Sequence, residues 1–409
     1  MTINSTMPDG SRQRRDDAAP AAWSAVYAMS LCSFALVASE FMPVSLLSPI
    51  AADLHLTEGQ AGQTIAISGL FAVLTSLSIS KLTARFDRRF VLLGLAAMLI
   101  VSGTIAALAP SFAVLLIARA AVGVAIGGFW SMSGAIAMRL VPANSVGKAL
   151  AVLQVGPALA SALAAPLGSL MGGVIGWRGA FFSMVPIALV ALLWQLTTLP
   201  AMPAQVRQDN GGRMIALLRR MPVLFGMASV GVLFAGQFAL YTYMRPFLEQ
   251  VTHLGLGMVS TMLLVVGLSG FLGTLFIGRF LDQRLYSTLT VLPAIMAAVA
   301  FALAAFGNSV AIVAVLLVFW GFAATTAPVG WWAWLTRAAP DDAEAGGGMM
   351  VAVAQIAITL GATVGGIAFD NLGAVPEFTI SGAILVLATA AAFGIGRIAQ
   401  RAGAGNAAT

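Results

Sequence analysis

Long apolar segments, separated by short polar turns, follow one another along almost the whole chain. Each segment is long enough to cross the hydrocarbon core of a bilayer as a helix, which takes about 20 residues at about 1.5 Å each. The pattern therefore predicts an all-α membrane protein with twelve transmembrane helices. We place them at 22–47, 60–80, 90–109, 112–138, 148–173, 180–199, 223–245, 257–278, 287–307, 309–335, 346–369 and 378–397.

The composition agrees with this interpretation. Of the 409 residues, 60% are hydrophobic and only 9% are charged, and the mean hydropathy is +0.96. Soluble domains carry about 25% charged residues. The basic residues fall in short turns and form no basic domain with interleaved aromatics, so we expect the lipid bilayer as a partner and no nucleic acid.

The chain shows no residue pattern of an enzyme or a metalloprotein. Cys32 is the single cysteine, and His55 and His253 are the two histidines, so no intramolecular disulfide or cysteine metal site can form. The sequence has no glycine-rich phosphate loop and no nucleophile motif. We therefore expect no catalytic residues, no cofactor and no metal.

The distribution of Lys and Arg predicts the orientation of the chain. Among the 21 basic residues, only Arg178 and Arg245 fall in turns after odd-numbered segments, and Arg119 lies within the fourth segment. The others lie in the two tails and in the turns after even-numbered segments. Because positive charge marks the cytoplasmic side, we expect an even number of spans with both termini in the cytoplasm.

Two turns repeat at half the length of the chain. The turn after the second segment holds Arg85, Asp87 and Arg88, and the turn after the eighth holds Gly278 and Asp282. Each is a short basic turn with one acid, which we interpret as a gating loop, or alternatively as a plain cytoplasmic anchor. Half-length repeats are typical of transporters whose site lies where the halves meet.

This repeat predicts two six-helix bundles related by pseudo-symmetry. A polar stretch between the sixth and seventh segments is the longest in the interior of the chain and is predicted to link them. We expect a disordered cytoplasmic tail at 1–21, bundles at 22–199 and 223–398, a cytoplasmic linker at 200–222 and a second tail at 399–409.

Two charged residues fall well within the apolar segments. Glu40 lies about seven residues before the predicted end of the first segment, and Arg119 about seven residues into the fourth, so both are expected about 10 Å below the outer surface. A charge in hydrocarbon is costly, and we expect the two side chains to share one polar site that binds a proton. The alternatives are a Glu40 at the interface and an Arg119 that only caps backbone carbonyls.

Uncharged polar and aromatic residues outnumber charges in the segments. Gln237 and Tyr241 are four residues apart, as are Gln355 and Thr359, so each pair projects from one helix face. Trp331 lies deep enough to face a cavity, although a belt or packing role is the alternative for the tryptophans. A small, flat, uncharged polar substrate suits this inventory better than an ion does.

Several motifs resemble the major facilitator superfamily. The turn Ser80-Lys81-Leu82-Thr83-Ala84-Arg85-Phe86-Asp87-Arg88-Arg89 is similar to its signature Gly-x-Leu-Ala-Asp-Arg-x-Gly-Arg-Arg. It departs from the signature at Ser80, Ala84 and Asp87, whereas the second copy keeps Gly278 and Asp282. Arg119 followed by Gly123 resembles the fourth-helix motif of the superfamily. Gly156-Pro157 and Ala165-Pro166-Leu167-Gly168 resemble the proline-glycine motif of its antiporters.

Four further stretches, 40–47, 127–133, 234–246 and 328–337, resemble the purine ribonucleoside efflux pumps of the drug:proton antiporter class. The resemblance implies a monomer in the bacterial inner membrane that exports inosine- or guanosine-like nucleosides in exchange for protons. Multidrug or sugar antiport by the same fold is the alternative, and a membrane receptor or scaffold is the last.

Within that resemblance, the inward polar and aromatic groups can be matched to a nucleoside. Phe129 and Trp130 can stack on a purine, or can serve only in helix packing. The amides Gln237 and Gln355 can hydrogen-bond the edge of the base. The hydroxyls of Ser131 and Thr359 can meet the ribose.

Overall fold

The computed structural model describes residues 22–203, 216–339 and 343–406, and these residues form helices and turns without a strand. The predicted tail at 1–21, residues 204–215 of the predicted linker and residues 407–409 lie outside the described part. The helices are α1 Trp23–Leu54, α2 Glu58–Leu82, α3 Arg88–Ala107, α4 Phe112–Leu140, α5 Val146–Val174, α6 Gly176–Thr198, α7 Met221–Thr242, α8 Met244–Gln250, α9 Leu256–Phe306, α10 Val310–Ala338, α11 Ala343–Leu372 and α12 Ala374–Asn406.

Twelve helical segments in the described residues are long and apolar enough to cross a membrane, as predicted. The short helix α8 continues α7 as the seventh span, and α9 holds both the eighth and the ninth span. These two spans are joined at Arg284, whose backbone angles (φ −141°, ψ 47°) are not helical. The helix labels α10 to α12 therefore coincide with spans ten to twelve.

Several span ends differ from the prediction, among them the end of α1 and the start of α12. Helix α1 continues past residue 47, through Pro49, and ends at Leu54. A proline lacks one backbone donor but is tolerated in a spanning helix where neighbouring groups satisfy the freed carbonyl. Helix α12 begins at Ala374 rather than 378, because Gly373 adopts a positive φ of 92° that ends α11 and lets the next helix start at once.

Helix α1 lies at the centre of the first half. It packs against α2, α4, α5 and α6, and 83% of its most apolar window is buried. Helix α5 comes close because Gly156 faces the backbone carbonyl of Ser30, and an added Cβ would have no room there. The burial of α1 on all sides places any polar group it carries inside the protein.

The two halves, α1–α6 and α7–α12, meet mainly along three helix pairs. Helix α2 packs on α11, α5 on α9, and α1 on α8. We call the side with the turns after the odd-numbered spans the odd-turn end, and the opposite side the even-turn end. The odd-turn end comprises residues 55–57, 108–111, 175, 251–255, 307–309 and 373.

At the odd-turn end the halves are joined by hydrogen bonds. Asp370 of α11 accepts from the Thr57 hydroxyl at 2.6 Å and from the backbone N–H of Gly59 at 2.8 Å. Ser260 donates to Ser169 at 2.8 Å, linking α9 to α5. These contacts close the odd-turn end of the bundle.

Candidate functional site

The carboxyl group of Glu40 lies between the two halves. Glu40 on α1 is 3% exposed, and its Oε1 accepts a hydrogen bond of 2.9 Å from Nε2 of Gln355 on α11. Gln355 is 7% exposed, and its own Oε1 is buried without a hydrogen-bond partner among the described residues. The two residues are 315 positions apart in the chain, so this contact depends on how the halves pack.

Arg119 lies at the same level as Glu40, as predicted, but its guanidinium bonds mainly with backbone oxygens. It is 2% exposed and donates to the carbonyls of Ser39 at 2.7 Å, Glu40 at 3.0 Å and Thr64 at 3.0 Å, and to the Ser68 hydroxyl at 3.2 Å. No ion pair between the Arg119 and Glu40 side chains is recorded in the described residues. These four acceptors are uncharged oxygens on α1 and α2, so the guanidinium of Arg119 holds α4 against both helices.

The backbone of Gln355 is held in a close contact between α2 and α11. Gly69 on α2 leaves room for the Thr359 hydroxyl and the Gln355 carbonyl, and a Cβ at that position would collide with them. The single O–H of the Thr359 hydroxyl is shared between the Gln355 carbonyl, at 2.9 Å, and the Ala66 carbonyl across the halves, at 3.2 Å. Thr359 therefore positions Gln355, rather than presenting a free hydroxyl in this conformation.

The predicted polar and aromatic residues of the second half lie in its interior. Gln237 donates to the Ala324 carbonyl at 3.2 Å, and its Oε1 is buried without a partner among the described residues. Tyr241 packs edge-on against Phe238, with ring centroids 6.0 Å apart. Trp331 is 1% exposed, and its indole N–H also has no partner in the described part of the chain.

In the first half, the predicted stacking pair divides into two environments. Phe129 is 1% exposed and lies in the core of the first half, edge-on to Trp130 at 5.8 Å between centroids. Trp130 is only half-buried and packs against two clusters of buried hydrophobic residues, one confined to the first half and one that extends through both halves. The Ser131 hydroxyl donates to the Gly128 carbonyl one turn earlier, at 2.9 Å. Phe129 is thus a packing residue in this conformation, as the alternative interpretation expected.

The first predicted gating turn makes its contacts within its own half. Asp87 caps α3, accepting from the backbone N–H of Arg89 at 2.8 Å and from that of Met202 at 3.0 Å. Arg88 donates to the Thr83 hydroxyl at 2.8 Å, and Arg85 is exposed. An added Cβ at Gly278, in the second turn, would meet no atom within 4 Å. The side chain of Asp282 lies outside the described part.

Another buried acid lies at the start of the twelfth span, whereas Glu40 lies near the middle of the first. Glu377, predicted to lie in a turn, is in the first turn of α12, is 1% exposed and has no partner for either oxygen among the described residues. Arg245 is 5% exposed and donates to the Ser45 carbonyl and to Glu249. Gly373 was the sequence signal that α12 begins before Glu377, because a glycine commonly ends one helix just before the next begins.

Two six-helix halves that enclose a buried carboxyl group and uncharged polar groups at their contact have the architecture of a membrane transporter. The chain matches the Major Facilitator Superfamily over residues 29–362 and belongs to that family. It is therefore a multi-pass membrane transporter and not an enzyme. The resemblance seen in the sequence motifs is confirmed at the level of the family and the fold.

Two curated relatives cover nearly the whole chain. The purine ribonucleoside efflux pump NepI of Salmonella paratyphi B is 39% identical over 374 residues, which are 91% of this chain and 94% of the pump. A Pseudomonas aeruginosa protein named transcription regulatory protein OpdE is 55% identical over 369 residues, 90% of this chain and 92% of that protein. The names of these two relatives point to different functions.

Solved structures share the fold at low sequence identity. A bacterial homologue of the lysosomal transporter Spinster, in an inward-facing conformation, has a TM-score of 0.75 at 15% identity and covers 93% of this chain and 98% of its own. The structure of the nucleoside transporter NupG has a TM-score of 0.74 at 14% identity and covers 91% of this chain and 98% of its own.

Proposed function

We propose that this protein is a proton-coupled antiporter that exports purine ribonucleosides across the bacterial inner membrane by alternating access. The observation that carries the proposal is the Glu40 carboxyl group, buried at the contact of the two halves and bound by Gln355 of the other half. The similarity to purine ribonucleoside efflux pumps over 91% of the chain supports the substrate class. The protein acts as a monomer in this proposal, with both termini in the cytoplasm.

A buried carboxyl group is suited to carry a proton because burial favours its neutral form over its charged form. The positive charge of the turns after even-numbered spans supports a cytoplasmic even-turn end. The closed odd-turn end then faces outward, and this conformation loads substrate from the cytoplasm. Opening the odd-turn end would expose Glu40 to the outer solution, where it takes up the proton that is carried inward.

The buried polar groups favour a neutral, flat substrate. The amide oxygens of Gln237 and Gln355 are acceptors for N–H groups at the edge of a base, and half-buried Trp130 offers a face for stacking. A nucleotide would need a cationic clamp for its phosphates. The nearest cation, Arg119, already donates to four protein oxygens. Nucleosides, and not nucleotides, are therefore the proposed substrates.

The substitution Glu40→Gln tests proton coupling, since an amide keeps the size of the side chain but cannot carry the proton. In proteoliposomes, we expect this variant to lose inosine transport driven by a proton gradient and to keep inosine binding and inosine exchange. Glu377→Gln, a buried acid on α12, is the matched control and is expected to keep gradient-driven transport. Uphill inosine transport at the wild-type rate by Glu40→Gln would contradict the proposal.

A regulatory membrane protein is the second candidate, favoured by the name of the Pseudomonas aeruginosa relative at 55% identity. Proteoliposomes separate the two candidates, because a regulator without transport activity moves neither nucleosides nor drugs. Equal inhibition of transport by inosine and by ethidium-like cations would instead favour a multidrug antiporter.

A further inference from the structure

Three buried amide oxygens have no hydrogen-bond donor in the described part of the chain, the Oε1 atoms of Gln195, Gln237 and Gln355. Among these three residues, only Gln355 contacts a carboxyl group, through its Nε2, which donates to Glu40. A buried acceptor without a donor costs free energy. We therefore expect the Oε1 atom of Gln355, beside the Glu40 carboxyl group, to receive a hydrogen bond from a donor. Glu40 already contacts Nε2 of the same amide and can supply this donor when its carboxyl group is protonated.

The chemistry of the two groups decides when that donor exists. An ionised carboxylate only accepts hydrogen bonds, so it can bind the N–H of Gln355 but leaves the amide oxygen without a donor. A protonated carboxyl group has one O–H and still accepts on its other oxygen. It can therefore form two parallel hydrogen bonds with a planar amide, O–H to Oε1 and Nε2–H to the carboxyl oxygen. Protonation of Glu40 thus satisfies the Oε1 atom of Gln355.

We propose that Oε1 of Gln355 is a shared acceptor for which the O–H of Glu40 and an N–H of the substrate base compete. The inference rests on the proposed nucleoside–proton antiport and names the atom through which the two are coupled. When the N–H of a bound base donates to this oxygen, the proton of Glu40 loses its acceptor and leaves to water at the even-turn end. One proton departs as one substrate binds, and no other bond is made or broken.

The proposal assigns a requirement to the substrate. The base must carry an N–H at its hydrogen-bonding edge, as inosine and guanosine do at N1. A nucleoside whose N1 is methylated cannot donate to Gln355 from that position, so it cannot displace the proton. Gln355 is in this sense a specificity-determining residue as well as the link between the proton and the substrate.

The amide is held where this competition can occur. The contact of Gly69 with Thr359 and the Gln355 carbonyl fixes the backbone of Gln355 against α2. Of the charged groups on the helices around Glu40, Arg119 of α4 lies beside it and bonds with its backbone carbonyl. Several others are engaged elsewhere: Arg178 of α6 with Asp53, Arg245 of α8 with Ser45 and Glu249, Arg88 of α3 with Thr83, Lys148 of α5 over the ring of Trp23, and Asp370 of α11 with Thr57 and Gly59.

Equilibrium binding to the purified protein at a series of pH values tests the proposal. Binding that displaces one proton gains up to about tenfold in affinity per pH unit over the range in which the proton is bound. We expect inosine to show this rise, and 1-methylinosine to bind more weakly with an affinity that does not change with pH. An equal rise for both nucleosides would overturn the shared acceptor, without recourse to any variant.

Two variants sharpen the test. Gln355→Met removes the amide at similar length and is expected to abolish the pH dependence of inosine binding. Gln237→Met removes a second unsatisfied amide, which makes no hydrogen bond with Glu40, and is expected to weaken binding but keep the pH dependence. Retention of the pH dependence in Gln355→Met would overturn the inference.

The two proposals fail in different ways. If Glu40→Gln loses the pH dependence of inosine binding while Gln355→Met keeps it, Glu40 carries the proton and only the shared acceptor is wrong. If Glu40→Gln keeps the pH dependence, or if the wild-type protein binds no nucleoside, the proposed function itself is wrong, and this inference falls with it.

Discussion

The packing of α2 against α11 predicts that a single methyl group can open the odd-turn end. A Cβ added at Gly59 would lie 2.6 Å from the carbonyl oxygen of Gly366 and closer still to the side chain of Asp370. Overpacking of this kind costs about 1–3 kcal/mol. Because Gly59 meets α11 only while the halves are together at this end, the cost falls on the closed conformation. Gly59→Ala should therefore shift the equilibrium toward the open form by about 5- to 150-fold.

Cysteine labelling measures this shift. The native Cys32 is 1% exposed, and a cysteine introduced at Ala66, which is 4% exposed at the contact with Thr359, reports opening. We expect Gly59→Ala to raise the rate of labelling by a membrane-impermeant maleimide from the odd-turn side by the same factor.

The control for this experiment is Gly94→Ala, at an exposed position on α3 where an added Cβ meets no atom within 4 Å. It should leave the labelling rate unchanged, since it touches neither α11 nor the other half. An unchanged rate in Gly59→Ala, with the same amount of folded protein, would refute the reasoning.

Three further outcomes follow from single contacts. Arg119→Lys offers three donors to four acceptors, so the free energy of unfolding should fall by at least about 1.5 kcal/mol. An unchanged midpoint of thermal unfolding in detergent would contradict this. Asp370→Ala removes the acceptor of the Gly59 N–H, and mass spectrometry should find faster hydrogen exchange at the start of α2; protection equal to wild type would speak against it. Phe129→Leu should lower stability by about 1 kcal/mol and leave the half-saturation concentration for inosine unchanged. Trp130→Leu, by contrast, should raise that concentration several-fold. Equal effects of the two substitutions on half-saturation would show that Phe129 also binds substrate.

The spans could be predicted from the sequence because length and apolarity alone select helices that cross a membrane. The ends were less predictable where they lie inside the protein. Helix α1 runs through Pro49 to Leu54, and α12 begins before Glu377, since neither end is marked by a change from apolar to polar residues. Buried helix ends are set by packing against other helices, and a single sequence does not display that packing.

The site was predictable residue by residue but not contact by contact. Glu40, Arg119 and Gln355 each stand out as polar groups in apolar segments. Their partners depend on which helix faces meet, so the preference of Arg119 for backbone carbonyls and the bond from Gln355 to Glu40 became visible only in the fold. The same holds for Asp370, which lies near a turn and gives no sign in the sequence that it joins the other half.

The burial of α1 also affects how the protein is made. It leaves the ribosome before α2 to α12, yet the mean hydropathy of its most apolar window, 1.6, is well below the 2.3 of the less buried α3. An acid near the middle of an inserting helix raises the free energy of insertion by about 2.5–3.5 kcal/mol on translocon scales. Helix α1 is inserted before α4 and α11, which surround Glu40 in the folded protein, have been synthesised. Added polar groups in α1 should therefore reduce the yield of inserted protein more than the stability of the molecules that do fold.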